Sequence, residues 1–314
     1  MEELKEILEY FTKPIEEQIL KMVNGNEEIA NNIQEIRIRT NKPIIVKLDN
    51  SNKSLKYKVP QEELLKTFDK VCENSIYSYK KHICEGFITI KGGHRIGLTG
   101  NAVMENDRVV NINYISSLNF RIAREKLESS SNVLKYVIKM EENNIYNTLI
   151  VSPPGAGKTT ILRDLLRKLS NGIKEISFKG KTVGLVDERG EIAAMYKGIP
   201  QKDVGLRTDV IDNITKPKGM KILVRSMSPE IIACDEIGST EDVNAINYAI
   251  CSGVKGIFTA HGGSIEELNL NPELAELIKK NIFERIIFLN PKVKGEILQV
   301  YGLDIKNKEY KILI

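Results

Sequence analysis

A glycine-rich segment at residues 152–159, Ser-Pro-Pro-Gly-Ala-Gly-Lys-Thr, is the feature that most constrains this chain. It follows an apolar run typical of a β-strand (147–151) and precedes a helix-forming run (161–166). A strand, a glycine loop and a helix start in this order are the context that a phosphate-binding P-loop requires. The backbone N–H groups of such a loop and the positive helix end surround phosphate oxygens. The segment therefore predicts a nucleoside triphosphate site of the Walker A type.

Each position of this segment has an expected role in binding ATP and Mg²⁺. Lys158 is expected to reach the β and γ phosphates, and Thr159 to place its hydroxyl on Mg²⁺. Ser152 stands where the motif usually has glycine, but the later glycine pair is intact. The alternative is a chance glycine turn before a helix. The residues expected to cradle the nucleotide are Pro154, Gly155, Ala156, Gly157, Lys158, Thr159 and Thr160.

The composition is that of an ordinary globular enzyme. The chain has 314 residues, of which 41% are hydrophobic and 28% charged, so about two domains are expected. The net charge of +4 is mild and the basic residues are spread out, so no nucleic acid partner is expected. The four cysteines lack metal-site spacing and are expected to be reduced. With no leader and no apolar stretch long enough for a bilayer, we expect a cytoplasmic protein without direct membrane insertion.

The pattern of strands and helices changes near residues 126–145, which are expected to form a linker and a leading helix. Residues 1–125 have a mixed pattern and are expected to form a smaller N-terminal α+β domain. In residues 146–314 strands and helices alternate, which predicts a parallel sheet with crossover helices, an α/β fold of the RecA-like P-loop ATPase type. Ligands of such sheets bind at the carboxyl ends of the strands.

The expected elements follow from periodicity and turn residues. In the first part they are helices at 1–10, 14–23, 61–72, 76–83 and up to 139, and strands at 33–39, 44–48, 86–91, 95–104 and 109–123. In the second part they are strands at 148–151, 181–186, 231–234 and 256–259, and helices after the glycine loop and at 217–226 and 240–251.

A second motif, Pro-Glu-Ile-Ile-Ala-Cys-Asp-Glu at 229–236, places two carboxylates after an apolar run. This pattern is typical of a buried strand with acids at its tip, as in a Walker B motif. In P-loop NTPases the first acid holds Mg²⁺ through its water shell, so Asp235 is expected to join Thr159 at the metal. Glu236 is placed to orient or polarise the attacking water. Such pairs are common by chance, but the glycine loop upstream favours the functional interpretation.

Two further strand ends carry polar groups. Asp187, Glu188 and Arg189 follow one strand, and Thr259 and His261 follow another. A polar residue at the end of a core strand can sense the γ phosphate, and it can equally be a solvated loop residue. We favour a catalytic role for Glu188 and His261 and leave the alternative open.

Arginines outside the P-loop region are candidates for an arginine finger. Such a residue accelerates ATP hydrolysis by about 10³–10⁵ when it is donated to the nucleotide. Arg121 and Arg124 lie just before the change of pattern and are expected to approach a cleft between the domains. Arg207 and Arg225 are further candidates, and for any one arginine alone a surface salt bridge is the simpler interpretation.

In their order along the chain, these segments resemble a sporulation branch of the type II and type IV secretion ATPase family. The resemblance covers nearly the whole chain. It is carried by Ser-Pro-Pro-Gly-Ala-Gly-Lys-Thr-Thr at 152–160, Val-Asp-Glu-Arg-Gly-Glu-Ile at 186–192, the run at 223–237, Thr-Ala-His-Gly at 259–262, and N-terminal segments at 35–39, 86–100 and 115–125.

The resemblance implies an ATPase ring, expected to be a hexamer, in the mother-cell cytoplasm. It also implies recruitment to membrane proteins of a sporulation channel complex between mother cell and forespore. Many secretion ATPases end the Walker B strand in Gly-Glu and rely on an acidic box, so the base can be Glu236 or Glu188; we favour Glu236. By resemblance the site residues are Asp187 and Glu188 in the acidic box, Asp235 and Glu236 at Walker B, His261 in the histidine box, and Arg121 and Arg124.

Two other functions remain open at this point. A nucleic-acid-translocating P-loop ATPase is disfavoured by the modest charge and the lack of an aromatic and basic surface pattern. An ATP-binding scaffold that assembles with little turnover would carry the same motifs. Stimulation of hydrolysis by DNA or RNA would favour the first, and nucleotide-dependent assembly without phosphate release would favour the second.

Overall fold

A computed structural model describes residues 2–49 and 51–314. Contacts divide the chain into two compact units. The first consists of Met1–Glu125 together with Ala194–Gln201, and the second consists of Lys126–Ala193 and Lys202–Ile314. The short segment Ala194–Gln201 thus belongs to the first unit, although in sequence it lies within the second.

The first unit contains one antiparallel sheet of six strands in the order β3-β2-β1-β6-β5-β4. Its strands are β1 (Ile33–Arg39), β2 (Pro43–Leu48), β3 (Asn52–Lys58), β4 (Phe87–Thr89), β5 (Arg95–Glu105) and β6 (Arg108–Arg121). Its helices are α1 (Glu2–Leu8), α2 (Lys13–Val23), α3 (Glu27–Asn32), α4 (Gln61–Val71) and α5 (Lys80–Glu85).

The strand β1 shows how the sequence sets this sheet. Ile33, Ile36 and Ile38 are all buried, although strict alternation would turn Ile33 away from the other two. A register shift between Ile33 and Glu35 inserts one residue and brings the three isoleucines into the core. The segment from the later part of the chain is held in the same unit, because Glu73 pairs with Lys197 (2.5 Å) and accepts a hydrogen bond from Tyr196.

The second unit contains a sheet of eight strands in the order β11-β10-β12-β13-β9-β14-β15-β16. Its strands are β9 (Thr148–Val151), β10 (Val183–Asp187), β11 (Thr208–Asp212), β12 (Ile231–Cys234), β13 (Lys255–Ala260), β14 (Arg285–Leu289), β15 (Ile297–Asp304) and β16 (Glu309–Ile312), and a separate pair consists of β7 (Ile138–Lys139) and β8 (Asn144–Ile145). Its helices are α6 (Ser131–Val137), α7 (Lys158–Asn171), α8 (Lys216–Ser226), α9 (Thr240–Cys251), α10 (Ile265–Leu270) and α11 (Pro272–Lys279).

Six neighbouring strands of this sheet, from β11 to β14, are parallel, and the last two pairs are antiparallel. Every residue of β9, β10 and β12 is buried. Strands that are apolar throughout are typical of a parallel sheet with both faces covered. Because such strands run in one direction, their carboxyl ends meet at one edge, and the polar residues that follow them gather there.

The α/β class with a parallel sheet, predicted from the alternation, is confirmed. The bounds of β1, β9, β12 and α9 are those predicted. Several elements were not predicted, namely α3, β3, β7, β8, β11 and everything from α10 to β16. Part of the helix predicted at 76–83 is a 3₁₀ turn at Ile76–Tyr79 followed by α5. The first residue of the helix predicted at 1–10 lies outside the described residues. Within residues 2–49 and 51–314, no helix combines the length and hydropathy needed to span a membrane.

Candidate functional site

The glycine loop, residues 152–157, connects β9 to α7 in the second unit. Gly155 and Gly157 have φ values of 81° and 100°, a region in which glycine carries no Cβ penalty. Gly157 is the residue that precedes α7. Ser152, which stands in place of the usual glycine, is buried, and its hydroxyl donates to the carbonyl of Pro153 (2.9 Å). The loop therefore accommodates this serine without leaving its hydroxyl unsatisfied.

The other predicted cradle residues lie around this turn. Pro154 and Gly155 are exposed, and Ala156 is buried. Thr159 and Thr160 lie in the first turn of α7 and are partly buried. The N–H groups of a helix's first turn have no partner within the helix. The loop and helix start thus present backbone donors at the carboxyl end of β9.

Lys158 is the first residue of α7, and its side chain is almost fully buried. The ammonium nitrogen lies 2.6 Å from the carbonyl oxygen of Ser152 and 3.2 Å from Nδ1 of His261. Burial lowers the pKa of Lys158, while the carboxylates of Asp235 and Glu236 act in the opposite direction. The site thus holds a buried cation next to the residues predicted from the other strand ends.

Asp235 connects three strand ends. Its Oδ2 accepts a hydrogen bond from the hydroxyl of Thr159 (2.6 Å), and its Oδ1 accepts one from the hydroxyl of Thr259. Asp235 follows β12, Thr259 belongs to β13, and Thr159 lies in the helix after β9. These contacts arise because the sheet order places β12, β13 and β9 side by side.

Glu236 has a left-handed backbone conformation, with φ 52°. Its N–H donates to the Thr259 hydroxyl (2.8 Å), and its carbonyl accepts from Nζ of Lys216 (2.6 Å). The two carboxylate oxygens are also engaged, by Nε2 of His261 (2.8 Å) and by Nη1 of Arg189 (2.8 Å). A non-glycine residue in this region is strained and persists only where its surroundings enforce it. Here these two backbone hydrogen bonds supply that constraint together with a third, from the N–H of Ile237 to the carbonyl of Thr259 (2.8 Å).

The contacts of His261 define its tautomer. An ammonium group has only donors, so Lys158 must donate to Nδ1, which then carries no proton. The proton of a neutral imidazole then lies on Nε2 and is donated to Glu236. His261 therefore links the cation of the glycine loop to the carboxylate after β12.

Glu188 follows β10, and its carboxylate pairs with Lys216, a residue that the sequence analysis did not predict for the site. Nζ of Lys216 lies 3.6 Å from Glu188 Oε2 and also 3.6 Å from Oδ2 of Asp242. Lys216 follows β11, a strand that was not predicted. Had β11 been recognised, the rule that ligands bind at the carboxyl ends of parallel strands would have included Lys216.

Asp187, the other member of the acidic pair, shapes the loop after β10. Its buried carboxylate accepts hydrogen bonds from the backbone N–H groups of Glu191 (2.9 Å), Ile192 (3.1 Å) and Ala193 (2.8 Å). Burial raises the pKa of Asp187, and these N–H groups act against that rise. Asp187 thus anchors this loop, while Glu188 points to the polar cluster.

Arg121 and Arg124 lie in the first unit. Arg121 is the last residue of β6, is exposed, and pairs in register with Glu35 of β1. Arg124 is partly buried, and its Nη2 donates to the carbonyl of Ala30 (3.3 Å). Their expected role at the nucleotide stays a prediction.

The two further arginine candidates have partners within the second unit. The guanidinium of Arg207 donates to the carbonyl of Ser170 (2.9 Å). The guanidinium of Arg225 lies over the ring of Tyr248, with its central carbon 5.9 Å from the ring centroid. Both contacts are structural, and neither arginine contacts the polar cluster around Glu236.

Comparison with known families shows where this chain belongs. The family model described as "Sporulation stage III, protein AA" matches residues 3–307. The chain belongs to this family. Within the stage III sporulation protein AA family, the Bacillus subtilis (strain 168) protein of that name is 40% identical over 273 residues, which cover 87% of each chain. The resemblance to a sporulation family, drawn from the motifs, is confirmed.

Solved structures show the same fold at low sequence identity. The ATPase DotB of Legionella pneumophila matches with a TM-score of 0.60 and 14% identity, over 92% of this chain and 81% of DotB. The pilus retraction motor PilT, solved with bound ADP, matches with a TM-score of 0.56 and 15% identity, over 95% of this chain and 83% of PilT. At these identities the match concerns the fold alone, and it confirms the predicted RecA-like α/β fold.

Proposed function

We propose that this protein is an ATP-hydrolysing motor that works on a sporulation channel complex. One observation carries the proposal: Thr159 is hydrogen-bonded to Asp235, and Lys158 to His261, which in turn contacts Glu236. These residues come from three strands that are adjacent in space and distant in sequence. Together they supply a phosphate cradle, a metal-binding acid, a general base and a residue that links them.

Thr159 and Asp235 fit the role of Mg²⁺ ligands. Their side-chain oxygens are hydrogen-bonded to each other at 2.6 Å, so the hydroxyl and the acid expected at the metal lie side by side. Mg²⁺ is usually held by one or two protein oxygens, by nucleotide phosphates and by several waters. When bound with ATP, the ion would neutralise charge on the β and γ phosphates.

In this proposal the glycine loop and the start of α7 donate backbone N–H groups to the phosphates. Phosphate oxygens compete with the Ser152 carbonyl for the ammonium of Lys158, which stays close to the loop in either case. Glu236 accepts a proton from the attacking water. His261 donates a hydrogen bond from its Nε2–H to Glu236 and keeps that carboxylate close to Lys158.

Glu236 is a better candidate for the base than Glu188. It follows β12 directly after the metal-site acid, and His261 connects it to Lys158. Both carboxylates have a cationic partner, Lys216 at 3.6 Å from Glu188 and Arg189 at 2.8 Å from Glu236, so the contact with His261 decides between them. We therefore assign Glu188 a supporting electrostatic role at the same edge of the sheet.

The wider function rests on relatives. The B. subtilis relative is named for sporulation, DotB is titled an ATPase, and PilT is titled a pilus retraction motor. We propose that this chain forms a homo-oligomeric ring, a hexamer, in the mother-cell cytoplasm and docks on membrane proteins of the sporulation channel. In that ring Arg121 and Arg124, of the same or a neighbouring subunit, complete the nucleotide site.

Glu236→Gln tests the chemistry. Glutamine keeps the size of the side chain and one of its two acceptor oxygens, but it cannot take a proton from water. We expect unchanged ATP binding and hydrolysis reduced by at least about a hundredfold, within the range of general-base catalysis. Hydrolysis at the wild-type rate would move the base to Glu188, and a matching Glu188→Gln variant would then show the loss.

The same assay separates the competing functions. Added DNA or RNA should leave the rate unchanged, and strong stimulation would favour a nucleic-acid translocase. If Glu236→Gln subunits in excess inhibit wild type more than in proportion to their number, neighbouring subunits share the work. A strictly proportional loss would argue against a ring.

A further inference from the structure

Lys216 is the cation at the centre of the polar cluster that follows β10 and β12. It is the first residue of α8, and only 15% of its side chain is exposed. Its ammonium donates to the Glu236 carbonyl (2.6 Å) and lies 3.6 Å from carboxylate oxygens of Glu188 and Asp242. The ammonium thus makes one hydrogen bond to a backbone carbonyl and two ion pairs with carboxylates.

The stability of α8 does not explain a lysine at this position. The first turn of α8 contains Lys216 and Lys218 and no acidic residue. Helix N-termini carry partial positive charge, so a cation there is unfavourable for the helix itself. The compensation for Lys216 comes from its acidic partners, which belong to the loops after β10 and β12 and to α9.

Three hydrogen bonds hold the backbone at Glu236, and two of them are made by Glu236 itself, the third being donated by the N–H of Ile237 to the Thr259 carbonyl (2.8 Å). The Glu236 N–H donates to the hydroxyl of Thr259, and the Glu236 carbonyl accepts from Lys216. Since φ is 52°, the peptide is held against its own backbone preference. Loss of the charged donor would leave the peptide that follows Glu236 with one partner, the Thr259 carbonyl that accepts from the N–H of Ile237 (2.8 Å). The Glu236 carbonyl would then be held less firmly, and the carboxylate of the same residue would be less well positioned.

We propose that Lys216 is a positioning residue for Glu236. Its ammonium holds the Glu236 peptide in the left-handed conformation and pairs with Glu188, so that Glu236 is the carboxylate that His261 presents to the nucleotide. This inference rests on the proposed ATPase function and extends it to a residue beyond the phosphate-binding and metal-binding set. Lys216 acts through Glu236 and not by contact with phosphate.

This role predicts a specific kinetic signature. A lysine that contacts phosphate, as proposed for Lys158, contributes to ATP affinity. A positioning residue instead affects the chemical step, so kcat and kcat/KM fall together while KM is preserved. Misplacement of a catalytic group by about 1 Å can cost about a hundredfold in rate.

The experiment compares Lys216→Met and Lys216→Arg with Lys218→Met in the full chain. Lys218 lies in the same helix turn and is exposed, so Lys218→Met is a matched loss of charge away from Glu236. We expect Lys216→Met to lower kcat for ATP by at least about tenfold with ATP binding unchanged, and Lys216→Arg to restore part of the rate. Lys218→Met should behave as wild type.

Two further readouts separate positioning from a general loss of structure. In the Glu236→Gln background, Lys216→Met should cause no further loss of turnover, because the group that it positions is already inactive. Without nucleotide, amide hydrogen exchange of residues 235–238 should be faster in Lys216→Met than in Lys218→Met. If Lys216→Met does not fold, Lys216→Gln replaces it in every comparison.

Three outcomes would overturn the inference: a kcat within about twofold of wild type in Lys216→Met, a loss of ATP affinity as large as in Lys158→Ala, or full additivity with Glu236→Gln. Failure of the proposed function itself has a different result, since wild type would then release no phosphate. In that case hydrogen exchange at 235–238 still shows whether Lys216 holds the Glu236 peptide.

Discussion

The left-handed conformation of Glu236 leads to a prediction that two equally inactive variants of this residue differ in stability. Glu236→Gly removes the carboxylate and also the Cβ that makes φ 52° unfavourable. Glu236→Ala removes the same carboxylate but keeps the Cβ. The ion pairs to His261 and Arg189 are lost equally in both variants. The difference between the two variants therefore isolates the backbone strain.

The expected magnitude follows from two opposing contributions. The left-handed conformation costs a residue with a Cβ about 1–2 kcal/mol. Glycine also makes the unfolded chain more flexible, which lowers the free energy of unfolding by about 0.4–1 kcal/mol. Glu236→Gly should therefore be more stable than Glu236→Ala by about 0.5–1 kcal/mol. Both variants should hydrolyse ATP at least about a hundredfold more slowly than wild type.

The assay is urea denaturation followed by far-UV circular dichroism, since the chain contains no tryptophan. Hydrogen exchange in β12 and β13 reports on the second unit alone. The matched control is the same pair of substitutions at Asn244, an exposed position in α9, where glycine should be less stable than alanine by about 1 kcal/mol. Equal stability of the two Glu236 variants, or a more stable alanine variant, would refute the claim that the site stores strain.

Three further predictions concern the cradle, the P-loop helix and the arginines. Lys158→Ala should weaken ATP binding by at least about tenfold, or about 1.4 kcal/mol, and calorimetric affinity equal to wild type would contradict the assigned phosphate cradle. Asp164→Asn should lower the free energy of unfolding by about 2 kcal/mol, because the buried carboxylate of Asp164 accepts bonds from the N–H and hydroxyl of Ser130 and from Arg167. Burial acts to raise the pKa of Asp164, but these hydrogen bonds hold that pKa below its usual value. The difference in the free energy of unfolding between Asp164→Asn and wild type should therefore persist above about pH 4 and disappear as pH falls through the lower folded-state pKa. Urea midpoints that keep the same difference at acid pH would count against this. Arg121→Ala with Arg124→Ala should bind ATP but hydrolyse it poorly with folding nearly intact, and an unfolded double variant would make the two arginines structural.

Much of the fold could be predicted because its signals are local. The strands β9 and β12 are short apolar runs that end in functional residues, and their bounds match the prediction. The strand β11 was not predicted, because all five of its residues are only half buried and two of them are aspartates. Its sequence therefore lacks both the apolar run of a buried strand and the alternation of an edge strand. Everything from α10 to β16 was also left unassigned.

In the candidate site, too, some features could be predicted from the sequence and others could not. Lys158, Thr159, Asp235, Glu236 and His261 were predicted from motifs, and the structure joins them. Their mutual contacts could not be predicted, because they depend on the sheet order, in which β13 lies between β12 and β9. The contact of Lys216 with Glu236 could not be predicted for the same reason. Lys216 lies twenty residues before Glu236 in sequence, and its contact with the Glu236 carbonyl exists only in the folded sheet.

Asp187 shows another feature that residue types do not specify. The sequence placed Asp187 and Glu188 together in an acidic box at a strand end and favoured Glu188 for catalysis. The structure gives them separate roles, because the Asp187 carboxylate is taken up by the backbone N–H groups of the following loop. Loop geometry of this kind depends on φ and ψ angles that residue types alone do not specify.

The most direct test of the account is the release of phosphate from ATP by the wild-type protein with Mg²⁺, measured over a range of protein concentrations beside Lys158→Ala and Glu236→Gln. We predict turnover that rises in specific rate with protein concentration. We also predict that Lys158→Ala abolishes binding and turnover together, and that Glu236→Gln abolishes turnover alone. Wild type that binds ATP and assembles, yet releases phosphate no faster than Glu236→Gln at any concentration, would contradict the motor and identify an ATP-binding scaffold.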